Sequence, residues 1–254
     1  MSSEGYVQFQ RNPIASVVCQ LRFHPILRIS SKIEGFQERV RPHFPKYEPQ
    51  TVQQFQFNIA GGAPGDGASV EKHQKHQFST LDDRFVVSLS ENDISLSSTA
   101  HANRGEFQHH LRIALEALDA EFHPIASTRF GLRYVNHIYL GQVSEDLERI
   151  VGWNELIAPD FLALPEALAH LQEAQFMSHV MGAVEEGSFG VRFGITLQPP
   201  GRIMYLLDLD RAEEGSISTS ALMAKADQFA NDIYSLYRSA CGPALIEWMQ
   251  PVAD

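Results

Sequence analysis

Arg129, Arg133 and His137 recur every fourth residue in a stretch, Ser127 to Leu140, that otherwise alternates with Phe130, Leu132, Tyr134, Ile138 and Leu140. In a strand, residues of equal parity share a face, so the apolar set faces a core and the cationic set faces away from it. Guanidinium groups stacked on one face need water, carboxylate partners or an anionic ligand. Function is therefore expected on that second face. Alternation assigns Arg22, Arg192 and Arg202 to the polar sides of other strands, so the set Arg22, Arg129, Arg133, Arg192 and Arg202 is the candidate ligand-binding group. Asp208 and Asp210 share one face of their strand, which suits a divalent cation or acid–base chemistry. A structural role competes with this. If the turn at Gln198 to Arg202 pairs Leu197 with Ile203, then Arg192 falls opposite Asp208, an exposed-type ion pair worth about 0.2–1 kcal/mol. No third carboxylate or histidine lies at ligand spacing nearby, so no metal site is read here.

His137 is the histidine to watch, because neighbouring guanidinium groups favour neutral imidazole, the form usable as a base. The other histidines, including His73, His76, His109 and His110, form no His-Glu-x-x-His pattern and read as solvated or packed rings. Nucleophile elbows of the Gly-x-Ser-x-Gly type are absent. The run Gly61-Gly-Ala-Pro-Gly-Asp-Gly67 lacks the Gly-Lys-Ser/Thr ending of a phosphate loop, so no nucleotide cofactor is implied.

Bulk properties narrow the classes further. A net charge of −11 over 254 residues argues against indiscriminate nucleic-acid binding, which draws on an excess of Lys and Arg. Lysine is scarce, at Lys32, Lys46, Lys72, Lys75 and Lys225, which leaves arginine as the main cation. Cys19 and Cys241 read as buried reduced thiols. No apolar run approaches membrane-spanning length and the N-terminus carries no signal-like pattern, so the expectation is a cytoplasmic protein.

The elements that must position these residues follow from periodicity. A strand runs from Ile14 to about His24, and Ser31 with Glu34 has capping-box spacing before a helical stripe of Ile33, Phe36, Val40 and Phe44, broken by Pro42 and Pro45. Phe55, Phe57 and Ile59 mark a strand, followed by a meander through Phe78 to Leu81, Arg84 to Ser90, and Ile94 and Leu96. Asn103 and Glu106 open a clear amphipathic helix with Phe107, Leu111, Ala114, Leu115, Leu118 and Phe122 on its stripe. The second half repeats the order. It has the strand from residue 127, a helical region from Leu147 to Leu171 with Pro165 in its second helix, strands near 175–184, Phe189 to Leu197 and Ile203 to Asp210, and a helix carrying Leu222, Phe229, Ile233, Leu236, Tyr237 and Ala240. A last short segment bears Trp248.

The fold class is therefore α+β. Two β-α-(β)n-α halves, 1–124 and 125–254, form one extended antiparallel sheet with the helices on one face, as one unit. That plan resembles the TATA-binding-protein-like architecture; a fused pair of ferredoxin-like units is the alternative.

Pro13-Ile14 leading to Val18-Cys-Gln-Leu-Arg-Phe23, Pro25-Ile-Leu-Arg28, Phe36-Gln-Glu-Arg39, Arg129-Phe-Gly-Leu-Arg-Tyr-Val-Asn136 and Leu207-Asp-Leu-Asp210 together resemble a sporadically distributed family of uncharacterised bacterial proteins of similar length. The likeness covers most of the chain but not Gln142 to Gly187, and it brings no catalytic residues. Its patchy occurrence implies a phage-defence or mobile-element context. The combined expectation is a non-enzymatic binding or accessory protein, possible in antiviral defence, that offers the arginine face to an acidic protein or nucleic acid. The rival is an enzyme on an anionic or phosphorylated substrate, with His137 as base, Asp208 and Asp210 as acid or metal ligands, and Arg129 and Arg133 as charge stabilisers.

Overall fold

A computed structural model describes residues 7–57, 68–99, 103–162, 175–198 and 201–252. The first half runs β1 (Ile14–Phe23), α1 (Glu34–Val40), β2 (Lys46–Phe57), β3 (Ala68–Ser79), β4 (Phe85–Leu89), β5 (Asp93–Ser98) and α2 (Arg104–Phe122). The second runs β6 (Ser127–Ile138), α3 (Leu140–Asp146), α4 (Trp153–Leu156), β7 (Ser178–Val184), β8 (Gly187–Gln198), β9 (Arg202–Glu214), α5 (Leu222–Ala240) and α6 (Pro243–Met249). All of these strands join a single nine-stranded sheet in the order β2-β3-β4-β5-β1-β6-β9-β8-β7. Every neighbouring pair is antiparallel.

That order is symmetric about the β1–β6 pair. Each half starts a strand at the centre, crosses over through helices, then returns by a meander whose last strand (β5 or β9) lies beside the first. The expected α+β class and single antiparallel sheet are thus what the chain forms. The fused ferredoxin-like alternative is not, because such a unit places its second helix between strands, whereas no described helix interrupts β2 to β5 or β7 to β9.

Parity explains the layering. Val17, Cys19, Leu21 and Phe23 of β1, Phe130 and Leu132 of β6, and Tyr205, Leu207 and Leu209 of β9 are buried, and the registers put them on one face. Burying each such side chain is worth about 1.5–3 kcal/mol. The helices cover this face: Phe229 of α5 meets Phe130, Phe36 of α1 meets Phe78 of β3, and Trp153 of α4 meets Tyr205. No described helix packs on the opposite face, which carries Ser16, Val18, Gln20 and Arg22 of β1 beside Arg129, Arg133, Val135 and His137 of β6. None of the described helices is long and apolar enough to cross a membrane.

Helix ends follow the local chemistry where caps exist. Asn103 Oδ1 accepts the Glu106 amide at 2.8 Å to start α2, and His123 in the left-handed region ends it. The capping box expected at Ser31 and Glu34 does not form. Residues Leu27–Ser31 make a 3-10 turn in which the Ser31 hydroxyl donates to Arg28 O, so α1 starts without a side-chain cap. β2 is also longer than its apolar residues suggest. It begins at Lys46 and tolerates Pro49 because it is an edge strand. His76 belongs to β3, where it is buried, and β3 reaches back to Ala68. After β6, the helical region opens at Leu140 rather than Leu147, and among the described residues it comprises the short α3 and α4 and a 3-10 turn at Pro159–Phe161. The helix expected around Pro165, the Gly61 to Gly67 loop and Pro199–Pro200 of the turn lie outside the described residues.

Candidate functional site

The registers place all five arginines on the open face and bring four of them together on adjacent strands. Arg22 of β1 stands directly opposite Arg129 of β6, Arg133 of β6 opposite Asp210 of β9, and Arg192 of β8 opposite Asp208 of β9. The Arg192–Asp208 juxtaposition is the one that the Leu197–Ile203 turn register predicts. Sequential pairing across a short turn made it legible.

Asp208 is the centre of the group, with a side chain only 4 % exposed. Arg133 clamps it with a fork, Nε donating to Oδ1 and Nη2 to Oδ2, both at 2.7 Å. Arg192 Nε donates to the same Oδ2 at 3.0 Å. Arg133 reaches diagonally, since Asp208 itself is paired with Val135. This fork is what the sequence did not disclose, because the β6–β9 pairing joins residues far apart in the chain. Bonding to Asp208 raises the Arg133 pKa further above its ordinary value, so that guanidinium stays charged at any working pH.

Arg129 reaches Asp210 at 3.3 Å by lying along the sheet over Gly131. A Cβ on Gly131 would sit 2.8 Å from Arg129 Nη1. A glycine inside a strand signals close approach of another group, and this was the readable clue that Gly131 belongs to the site. Burial pushes the Asp210 carboxyl upward from its usual range, while Arg129 and Arg133 oppose that shift.

Two flanking residues complete the picture. Among the described residues Arg22 forms no carboxylate pair; its Nε donates to Gln20 Oε1 at 3.2 Å, and Gln20 in turn donates to Asp93 at 3.1 Å. Arg202 is separated from the group. It lies six residues along β9 from Asp208, about 20 Å at strand rise, and its guanidinium stacks 4.2 Å above the Tyr139 ring. The expectation that all five arginines converge therefore holds for Arg129, Arg133 and Arg192, with Arg22 alongside, and is corrected for Arg202.

His137 shares this face, opposite Leu206. Its pKa is lowered, and the neutral form favoured, chiefly by burial; the Asp208 charge acts the other way. The guanidinium groups are not the main cause, contrary to the sequence argument. No hydrogen bond joins His137 to Asp208 or Asp210, and three guanidinium N–H groups occupy both Asp208 oxygens. The catalytic trio of the rival reading is not assembled as an acid–base relay. Among the described residues, no three His, Cys, Asp or Glu side chains come together to hold a metal ion.

Chemically, the cluster is three guanidinium groups over two carboxylates, with Glu214 opposite Arg129. Arg133 and Arg192 keep roughly half of their side chains in solvent, at 44 % and 48 %. Asp208 holds both guanidinium groups in place while that share of each side chain stays accessible. Such an array is pre-organised: the anion it meets need not first order flexible side chains. No protein-family model matches the chain, and neither does any curated protein.

Proposed function

We propose that this is a non-catalytic binding or accessory protein that uses the open sheet face, around Arg129, Arg133 and Arg192, to hold an acidic segment of a partner protein. The supporting observation is the buried Asp208 held by two half-exposed arginines, which fixes guanidinium donors on a surface that no described helix covers. The charge balance favours a short acidic segment over a nucleic-acid backbone. Three arginines offset by Asp208 and Asp210 leave one surplus positive charge, enough for a carboxylate but not for the run of phosphates that sustains backbone binding. A role in bacterial defence rests on the family resemblance alone and forms part of the same proposal.

The test is capture from the native host with and without nuclease treatment of the lysate, followed by mass spectrometry, analysis of any nucleic-acid fraction, and titration of the recovered partner. The double variant Arg129→Ala with Arg192→Ala keeps the Arg133–Asp208 fork, so it remains folded by circular dichroism. It is expected to weaken the partner by at least about tenfold, the scale of one lost charge-assisted hydrogen bond. Unchanged affinity in that folded variant overturns the proposal, as does a ligand that proves to be DNA or RNA.

A further inference from the structure

The two edges of the sheet are built differently. Edge strands expose unpaired N–H and C=O groups, and proteins guard them with proline, charge, bulges or a covering element. At the β2 edge, Lys46, Glu48 and Pro49 supply such guards, and Lys46 is tied to Asp83. At the β7 edge, Ser178-His-Val-Met-Gly-Ala-Val184 has no proline, no acid and no lysine or arginine. Val180, Met181 and Val184 are 56 %, 70 % and 40 % exposed. Val180 and Val184 lie on one face and Met181 on the other, so apolar surface is presented on both sides of a backbone edge that no other described strand pairs. A molecule of charge −11 thus keeps one uncharged strand at its rim.

We infer that β7 is a pairing edge for a second copy of this chain, the two β7 strands running antiparallel about a two-fold axis at Met181. The strand complements itself in that register. Val180 of each copy packs over Gly182 of the other, Ser178 meets Val184, His179 meets Ala183, and Met181 meets its own counterpart. Residues of like parity pair, so each face of one sheet continues into the same face of the other. The approach is electrostatically permitted. The strand itself carries no fixed charge, and the acidic turn beyond it has Glu186 already bound to Lys225 at 2.6 Å. An isologous pairing of one edge with itself closes at two copies, so it yields a dimer and not a filament.

Two measurements on the full chain test this. In sedimentation or light scattering, the wild type is expected at twice the mass of one chain, dissociating on dilution. The double variant Val180→Lys with Met181→Lys is expected as a monomer with an unchanged circular dichroism spectrum. The second measurement is a disulfide trap. In Met181→Cys the new thiols face each other across the axis, and the roughly 4.5–5.5 Å between paired strand residues suits a disulfide. The two native cysteines are buried and stay out of the reaction. Mild oxidation is expected to convert most of Met181→Cys into a covalent dimer while leaving Leu81→Cys, on the exposed β3–β4 turn, monomeric. A wild type that stays monomeric at about 100 µM, a double variant that stays dimeric, or equal cross-linking of the two cysteine variants would each overturn the inference.

Discussion

Asp208 shows why a buried carboxylate between cations is an unequal partner. Arg133 and Arg192 each retain access to water, but Asp208 has almost none, so the pairing serves Asp208 far more than either arginine. Replacing it by asparagine keeps the volume and removes the charge, leaving an amide among three donors with one acceptor oxygen. The expected cost is about 1.5–3 kcal/mol, the range for a lost hydrogen bond to a charged group, read as a lower midpoint in urea with an unchanged slope. Arg192→Ala should cost less, within about 1 kcal/mol, because the fork from Arg133 remains and Arg192 is half exposed. If Arg192→Ala proves as damaging as Asp208→Asn, Asp208 is not the limiting member of the group. At this scale, alternation revealed which residues share the open face, and one turn register revealed the Arg192–Asp208 contact. The Arg133 fork and the Arg129 reach over Gly131 depend on which distant strands become neighbours, and periodicity carries no information about that.

Elements set the geometry that such residues need, and the hairpin from β7 to β8 is the clearest case. Gly187 has φ of +96°, and a Cβ there would meet the Ala212 carbonyl oxygen of β9 at 2.1 Å. Gly201, at the turn into β9, has a similar φ of +110° but no described atom within 4 Å of where a Cβ would sit. Both substitutions by alanine incur the backbone penalty of this region, about 1–2 kcal/mol. Only Gly187→Ala adds a collision with backbone that cannot rotate away. Thermal melts should therefore show a larger fall for Gly187→Ala than for Gly201→Ala, and equal falls would mean that the hairpin yields without cost. The same contrast between local and distant causes explains which elements were legible. α2 carries its cap and stripe in sequence and forms where both predict. β2 carries no apolar alternation through Lys46 to Gln50; its pairing with Ser79 back to Lys75 holds it in the sheet. α3 and α4 are too short to show a stripe, and their packing near Tyr205 and α6 organises them instead.

At the scale of the whole molecule, three histidines among the described residues shape how stability responds to pH. His76, His110 and His137 all have pKa values below the ordinary imidazole value, each chiefly through burial. His76 is held by Tyr47, whose hydroxyl lies 3.0 Å from Nδ1. His110 sits among Phe44, Phe85 and the rings of His43 and His109, 6.5 and 5.5 Å away between centroids. His43, His109 and Arg84 also lower the His110 pKa, and Glu106 partly offsets them. When the folded pKa lies below the unfolded one, the unfolded chain takes up protons first, so acid favours unfolding. The stabilisation from keeping these rings neutral is complete above the unfolded value near 6.5 and is lost as pH falls from there through the lower folded values. Midpoints of urea unfolding should therefore hold steady from pH 8 to about 7 and decline below 6.5. The single variants His76→Gln and His110→Gln should each flatten that decline while changing little above pH 7. The two rings lie on the helix-covered side of the first half, and His137 lies on the open face of the second, so their effects should add in the double variant His110→Gln with His137→Gln. A decline that begins only near pH 4 and is unchanged in these variants would overturn the assignment of acid sensitivity to the buried histidines.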